Sequence, residues 1–387
     1  MFSGPPADPA APTPPTGSGT PPTGARRADA PAVALPIGAP TVDPAVAVTA
    51  DLVPSSGEGR SGYEGEPGSG DQGGGSGRSS RLPLTLSLAA ALLALLVAVF
   101  GPGLAARGTG ELRIPGAGLT AVLRTVLFAG LAVHLGELLA PQLVRPVTDR
   151  PRTAVRSWSV CAALAGAGAA AGQIVQLAAA SGLGITQTYA TRNGGLLLII
   201  ANGFVAAALC AASKRPALAL APLAVVIGAE AIRAHPEAYS PEIGAALTVV
   251  HLTAASLWTG GLLYVLRTMW LWRGSPVAAR ALLGRYARLA IWLYVALAAT
   301  GTVSTLRRLP VDVVFTSAYG RTLLVKLALM AVVSLLALAA RRRMLRDDDP
   351  AVAHRLARRE QVVLGAVVVV SAILTVVPDP HWISLRP

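Results

Sequence analysis

Cysteine, lysine and charge are all scarce in this chain. Its two cysteines, Cys161 and Cys210, have no CxxC-type spacing, so neither a thiolate metal module nor a disulfide framework is written into the sequence. Only 14% of the 387 residues are charged while 53% are hydrophobic, a balance that excludes an ordinary soluble domain. No Walker loop, HExxH, nucleophile elbow or dinucleotide fingerprint occurs, so neither an enzyme nor an ATP-driven pump has a motif to rest on. The formal net charge of +13 at first suggests nucleic acid. Its placement argues otherwise. Lys214 and Lys326 are the only lysines, and the arginines gather in short loops between apolar runs, as membrane topology determinants do. Basic patches studded with aromatics are missing, so no nucleic-acid partner is expected.

What remains is two kinds of material. Residues 1–81 are rich in Pro, Gly, Ser and Ala, as in "ADPAAPTPPTGSGT". Such a segment cannot bury enough apolar surface to offset its chain entropy, and a disordered tail is expected there. Its start, "MFSGPPADPA", has neither the basic region nor the apolar core of a leader peptide. From Leu82 onward, apolar runs repeat. A bilayer core of about 30 Å takes roughly 20 helical residues. Backbone polar groups in lipid must be satisfied within the segment, so these runs should be helices. Nine candidates follow: 83–105, 119–140, 157–180, 193–212, 216–233, 243–266, 285–305, 320–340 and 361–378. The expected fold is an all-α, polytopic transmembrane bundle whose main partner is the lipid bilayer. Its blocks are 82–233, 243–378 and a short tail at 379–387.

Alternate loops differ sharply in arginine. "PQLVRPVTDRPRTAVR", "SKR", "RTMWLWRGSPVAARALLGR" and "RRRMLRDDDPAVAHRLARR" are rich; "RGTGELR", "SGLGITQTYATR", "RAHPEAYSPE" and "RRLPVDVVFTSAYGR" are poor. The rich set should face the cytoplasm. That puts the amino terminus inside and the carboxyl terminus outside.

Ionisable residues at membrane depth are costly and mark where function should be sought. His251 stands in "LTVVHLTAASLWTGGLLYVL", roughly 12 Å below the outer start of its run at 1.5 Å per residue. Trp258 follows at i+7 on the same face, and Gly260 and Gly261 remove side chains where a neighbouring helix can approach. A neutral imidazole there can ligate a soft or borderline metal, or bridge two helices by hydrogen bonding. Lys326 either snorkels to the outer surface or lines the same space as His251. Met330, one turn further on, offers a thioether suited to Cu(I), or simply fills a gap. His134 and Glu137 form an i,i+3 pair able to share a proton or cation, and Arg124 of the same run is expected to snorkel outward. Glu230, His235, Glu237 and His381 all fall towards the outer face, where they would meet a metal before it enters.

The segments "HLTAASLWTGGLLYVL", "ATGTVSTLRRL" and "SAYGRTLLVKLALMAVVSLLALAARRR" together resemble the copper resistance D (CopD) family of bacterial membrane proteins. The matching features are His251, Trp258, Gly260, Gly261, Thr300–Gly301, Tyr319–Gly320, Lys326 and Arg341–Arg343, spread over residues 243–378. The resemblance implies copper ion transport, in the direction of uptake, and copper tolerance at the bacterial plasma membrane. It also implies work beside a small copper-binding protein of the CopC type. The first 81 residues hold no histidine, so a fused copper-capturing domain is not expected and that partner would be separate. On this reading copper meets His381 and His235, passes to His251, and finds Met330 as a soft ligand. Two other readings stand beside it: a membrane haem protein with His134 and His251 as axial ligands, and a scaffold that senses copper or assists oxidase assembly without transporting it.

Overall fold

The computed structural model describes residues 81–111, 114–234, 241–309, 313–346 and 350–377. The expected disordered tail over 1–80, the external tail at 379–387, and His235, Glu237 and His381 lie outside the described residues. The helices, in order, are α1 (Arg81–Ala105), α2 (Ala117–Val144), α3 (Ser159–Ser181), a short α4 (Ile185–Ala190) and α5 (Arg192–Ala212). A 3-10 turn (Pro216–Ala219) then runs into α6 (Leu220–Ala234). α7 (Pro241–Leu271), α8 (Pro276–Arg308), α9 (Ala318–Arg346) and α10 (Pro350–Leu374) complete the chain. No strand occurs among the described residues. The molecule is an all-α polytopic bundle, as its apolar runs require.

Each of the nine apolar runs is a helix, and seven of the described helices are long and apolar enough to cross a bilayer: α2, α3, α5, the Pro216–Ala234 pair, α7, α8 and α9. The apolar described part of α1 is shorter, Ala91–Ala105, and it packs with α10 against α2. Two of the four arginine-rich stretches read from sequence as loops are largely helical. α7 continues to Leu271, α8 begins at Pro276 rather than 285, α9 reaches Arg346, and α10 begins at Pro350 rather than 361. Arg, Ala and Leu are strong helix formers, so the backbone continues its helix past the point where the side chains stop being apolar. Pro241, Pro276 and Pro350 open their helices at the position where a missing N–H costs nothing.

Successive long helices run in opposite directions, and cross-links fix their register. At the arginine-poor end, the Arg321 Nη1 donates to the carbonyl of Arg107 at 2.7 Å, and the Ala318 N–H donates to Glu111 Oε1 at 3.1 Å. Ser317 Oγ accepts from the Gly320 N–H at 3.0 Å, so α9 starts with both a hydroxyl and a carboxylate on its free N–H groups. Three apolar cores result, the smallest of them, with Ala98, Ala121, Val369 and Ile373, joining α1, α2 and α10. Of the larger two, one, centred on Leu127, Ile200, Phe204 and Leu223, joins α2, α3, α5 and α6. The other, centred on Trp258, Leu262, Val265, Leu282 and Tyr286, joins α7, α8, α9 and α10 with the arginine-rich end of α2.

The two larger cores meet where α2 and α7 run side by side in parallel. Gly136 and Gly260 lie backbone to backbone; a Cβ on Gly260 would overlap the Ala132 carbonyl, and one on Gly136 would overlap Gly260 itself. This is the small-residue contact by which membrane helices approach closely. It also sets the register, placing His134 at about the level of Trp258.

Candidate functional site

His251 is half-buried on α7, and its ring faces α8. Its Nδ1 lies 2.9 Å from Thr300 Oγ1. The Thr300 hydroxyl has a single proton, and the carbonyl of Ala296, 2.7 Å away on the same helix, receives it. Thr300 therefore accepts from His251, which fixes the neutral ring as the Nδ1–H tautomer. The Nε2 lone pair is left for another group. Gly301, next in sequence, has only hydrogen where a side chain would touch the imidazole: a Cβ there would sit 3.7 Å from Cε1. Holding one ring nitrogen so that the other can bind is the arrangement found behind metal-ligating histidines.

Lys326 is half-buried on α9, close enough for its charge to act on the His251 ring. Met330, one turn on, is half-buried against the core that contains Trp258, Leu293 and Leu297. Trp258 is 3% exposed and stacks edge-to-face on Tyr294, with centroids 5.8 Å apart. Its carbonyl accepts from Tyr286 Oη at 2.6 Å, while its indole N–H has no hydrogen-bond partner. Gly261 gives the Tyr286 ring its space, since a Cβ there would lie 3.0 Å from Cε2.

The remaining sites expected from sequence do not converge on His251. His134 and Glu137 are one turn apart on α2 but form no hydrogen bond with each other. Glu137 is taken up at the start of α3: it accepts from Ser157 Oγ at 2.5 Å, Ser159 Oγ at 2.7 Å, and the backbone N–H groups of Trp158 and Ser159. Arg267 Nη1 closes the set at 2.8 Å and lies over the Trp158 ring at 3.6 Å. A carboxylate at a helix N-terminus with a guanidinium beside it is a structural anchor. His134 is fully buried, and neither ring nitrogen has a partner among the described residues. It lies about seven residues, or roughly 10 Å, deeper than His251. The two histidines therefore do not form an axial pair.

Arg124 does not snorkel. It is 7% exposed and forms an ion pair with Glu230, which is 2% exposed. Arg233 adds a second guanidinium, with Nε 3.0 Å from Glu230 Oε2, and reaches Gln173 at 3.4 Å. Glu230 is therefore engaged on both oxygens and unavailable to a metal, contrary to expectation. Two charges deep in a low-dielectric interior need each other more than either gains by reaching for the surface. Cys161 and Cys210 are free thiols. Among the described residues, no cluster of three or more His, Cys, Asp or Glu side chains could hold a metal.

One buried acid escaped the sequence reading. Glu360 on α10 is 7% exposed and faces Trp258. Its position just before "QVVLGAVVVV", after two arginines, made it look like part of a cytoplasmic loop.

These features define a multi-pass helical membrane protein with one oriented histidine in its carboxyl-terminal half. Residues 280–377 match the model of the CopD family, copper resistance protein D, over about a quarter of the chain. Over that region the chain is similar to copper resistance protein D. The match spans most of α8 and all of α9 and α10, including Thr300, Gly301, Lys326, Met330 and Glu360. It stops short of α7, which supplies His251. No curated protein and no solved structure matches the chain.

Proposed function

We propose that this protein carries copper ions across the bacterial plasma membrane, taking them up from the arginine-poor outer face and delivering them to the arginine-rich cytoplasmic face. The amino terminus then lies inside and the carboxyl terminus outside. The observation that carries the proposal is the Thr300–His251 hydrogen bond, whose polarity leaves the Nε2 lone pair free inside the bundle. Nε2 is the first intramembrane ligand for the ion. Met330 supplies a second, soft contact suited to Cu(I). Lys326 keeps the site from holding a cation too tightly, because its own positive charge opposes the ion. His235 and His381 collect copper at the outer surface or receive it from a separate protein of the CopC type.

Copper content of cells expressing the wild-type chain, His251→Ala or Thr300→Val tests this reading. The expected order is accumulation in wild type, a partial loss in Thr300→Val and loss to the level of cells lacking the protein in His251→Ala. Equal accumulation in all three removes the assignment. Wild-type expression that protects cells without changing their copper content favours a sensing or oxidase-assembly role. An absorbance spectrum separates the haem reading, which the distance between His134 and His251 disfavours: a Soret band would restore it.

A further inference from the structure

An open cavity of about 380 Å³ lies at the arginine-rich end of the bundle, between the chain that leaves α2 and the early turns of α8. Pro146, Val147 and Thr148 form one wall. Ala281, Gly284, Arg285 and Arg288 form the other, and their spacing of i, i+3, i+4 and i+7 puts all four on one face of α8. The first two are small and keep the space open: a Cβ added to Gly284 would meet nothing within 4 Å. The last two bring a pair of guanidiniums to it. Among the described residues, neither arginine forms a hydrogen bond or an ion pair, and the Nε of Arg285 is buried without a partner. Elsewhere in the bundle Arg124, Arg233 and Arg267 hold carboxylates, and Arg321 holds carbonyls. Asp149, beside Thr148, is exposed and pairs with neither Arg285 nor Arg288. Like charges three residues apart on a helix face repel, and a buried guanidinium N–H left open carries a desolvation cost. An anion whose oxygens accept from both arginines relieves the two together.

The depth of the cavity narrows the kind of anion. Thr300 meets His251, and Arg285 precedes Thr300 by as many residues as Leu266 follows His251. On antiparallel α7 and α8, Arg285 therefore lies level with Leu266 and its neighbour Arg267. Arg267 covers the Trp158 ring, and Arg273 stands over Trp270, one turn beyond Arg267. Both tryptophans are exposed. Exposed tryptophans and arginines at one level mark the boundary between membrane and water, where lipid phosphates lie. A guanidinium fork matches phosphate oxygens two at a time, and the Thr148 hydroxyl adds a donor from the opposite wall.

We propose that this cavity binds the phosphate group of an anionic ligand, with a phospholipid headgroup of the arginine-rich leaflet as the nearer source and a free phosphate ester as the other. Arg285 grips the phosphate oxygens with its fork, Arg288 adds its charge from one turn deeper, and Thr148 donates its hydroxyl. The bound phosphate ties the chain after α2 to α8, the helix that carries Thr300. The site uses no residue of the copper path and does not depend on it.

Full-length protein, stripped of lipid in a neutral detergent, provides the test by native mass spectrometry and by melting. Phosphatidylglycerol is expected to stay bound to wild type and to raise its unfolding temperature. Diacylglycerol, which has the acyl chains and no phosphate, is expected to do neither. Replacing both arginines, Arg285→Gln with Arg288→Gln, should weaken phosphatidylglycerol binding by about tenfold or more. Gly284→Leu keeps both guanidiniums and fills the cavity, so it should melt like wild type without lipid and lose the binding. Arg273→Gln removes a charge at the same end, outside the cavity, and should bind as wild type does. Inorganic phosphate and glycerol phosphate, added in place of the lipid, separate the sources. Stabilisation by either, lost in the double variant, assigns the site to a free phosphate; stabilisation by phosphatidylglycerol alone assigns it to the headgroup. The proposal is overturned if wild type binds none of the three phosphates, if the double variant or Gly284→Leu binds phosphatidylglycerol as wild type does, or if Arg273→Gln loses as much binding as the double variant.

Discussion

The helices before residue 240 and those after it treat buried polar groups in opposite ways. In the first set they are used up. Glu137 takes two hydroxyls, two backbone N–H groups and a guanidinium. Glu230 is held between Arg124 and Arg233. In the second set they are left open: His251 keeps Nε2, the Trp258 indole N–H is unpaired, and Glu360 has no cationic partner. Satisfied polar networks rigidify a bundle, while unsatisfied groups at membrane depth carry a standing cost that only a ligand or a transferred proton relieves. On the proposed copper path, the first set serves as scaffold and the second as the working part. The scaffold side has exceptions: His134 is a fully buried and unpartnered imidazole, and one side-chain atom each of Glu111, Arg124 and Gln176 is buried without a partner.

The contrast can be broken most severely at Glu230. Glu230→Ala leaves two buried guanidiniums facing each other, and a loss of about 3–5 kcal/mol is expected, read as thermal unfolding in detergent. A stable variant would show that the scaffold networks are dispensable. Thr300→Val removes the acceptor that orients His251; copper affinity should fall about 10- to 100-fold with the unfolding temperature almost unchanged. A fall in stability without a fall in affinity would move Thr300 to the scaffold class. Gly260→Val drives a side chain into the Ala132 carbonyl, and destabilisation of about 1–3 kcal/mol is expected from overpacking, measured on the same melting curves. The smallest effect belongs to Lys326→Met. Removing the ammonium should tighten copper binding by roughly two- to fivefold, the size of a partly screened charge interaction. Weaker binding in that variant would make Lys326 a supporting group rather than an opposing one.

Much of this architecture was legible in the chain itself. The apolar runs from Leu82 onward can only be helical, because runs of that length and apolarity have no other way to satisfy their backbones in lipid. The position of His251 in such a run marked it as a residue to explain, and the glycines at 260 and 261 marked a close contact. The partners were not legible. Arg124 and Glu230 lie 106 residues apart, and nothing in either segment says that they meet. Glu137 looked like a companion for His134, one turn away, yet four donors at the start of α3 and Arg267 of α7 claimed it. Glu360 was hidden by the two arginines before it, since composition alone cannot say how far a helix continues beyond the lipid.

The sequence by itself determined that this protein is a bundle of membrane helices with an imidazole among them, because hydrophobic burial and backbone satisfaction depend only on local composition and length. Only the tertiary structure decided which polar groups close on one another and which stay open. Pairing energies in a low-dielectric interior act over a few ångströms, and those distances are set by how the helices pack.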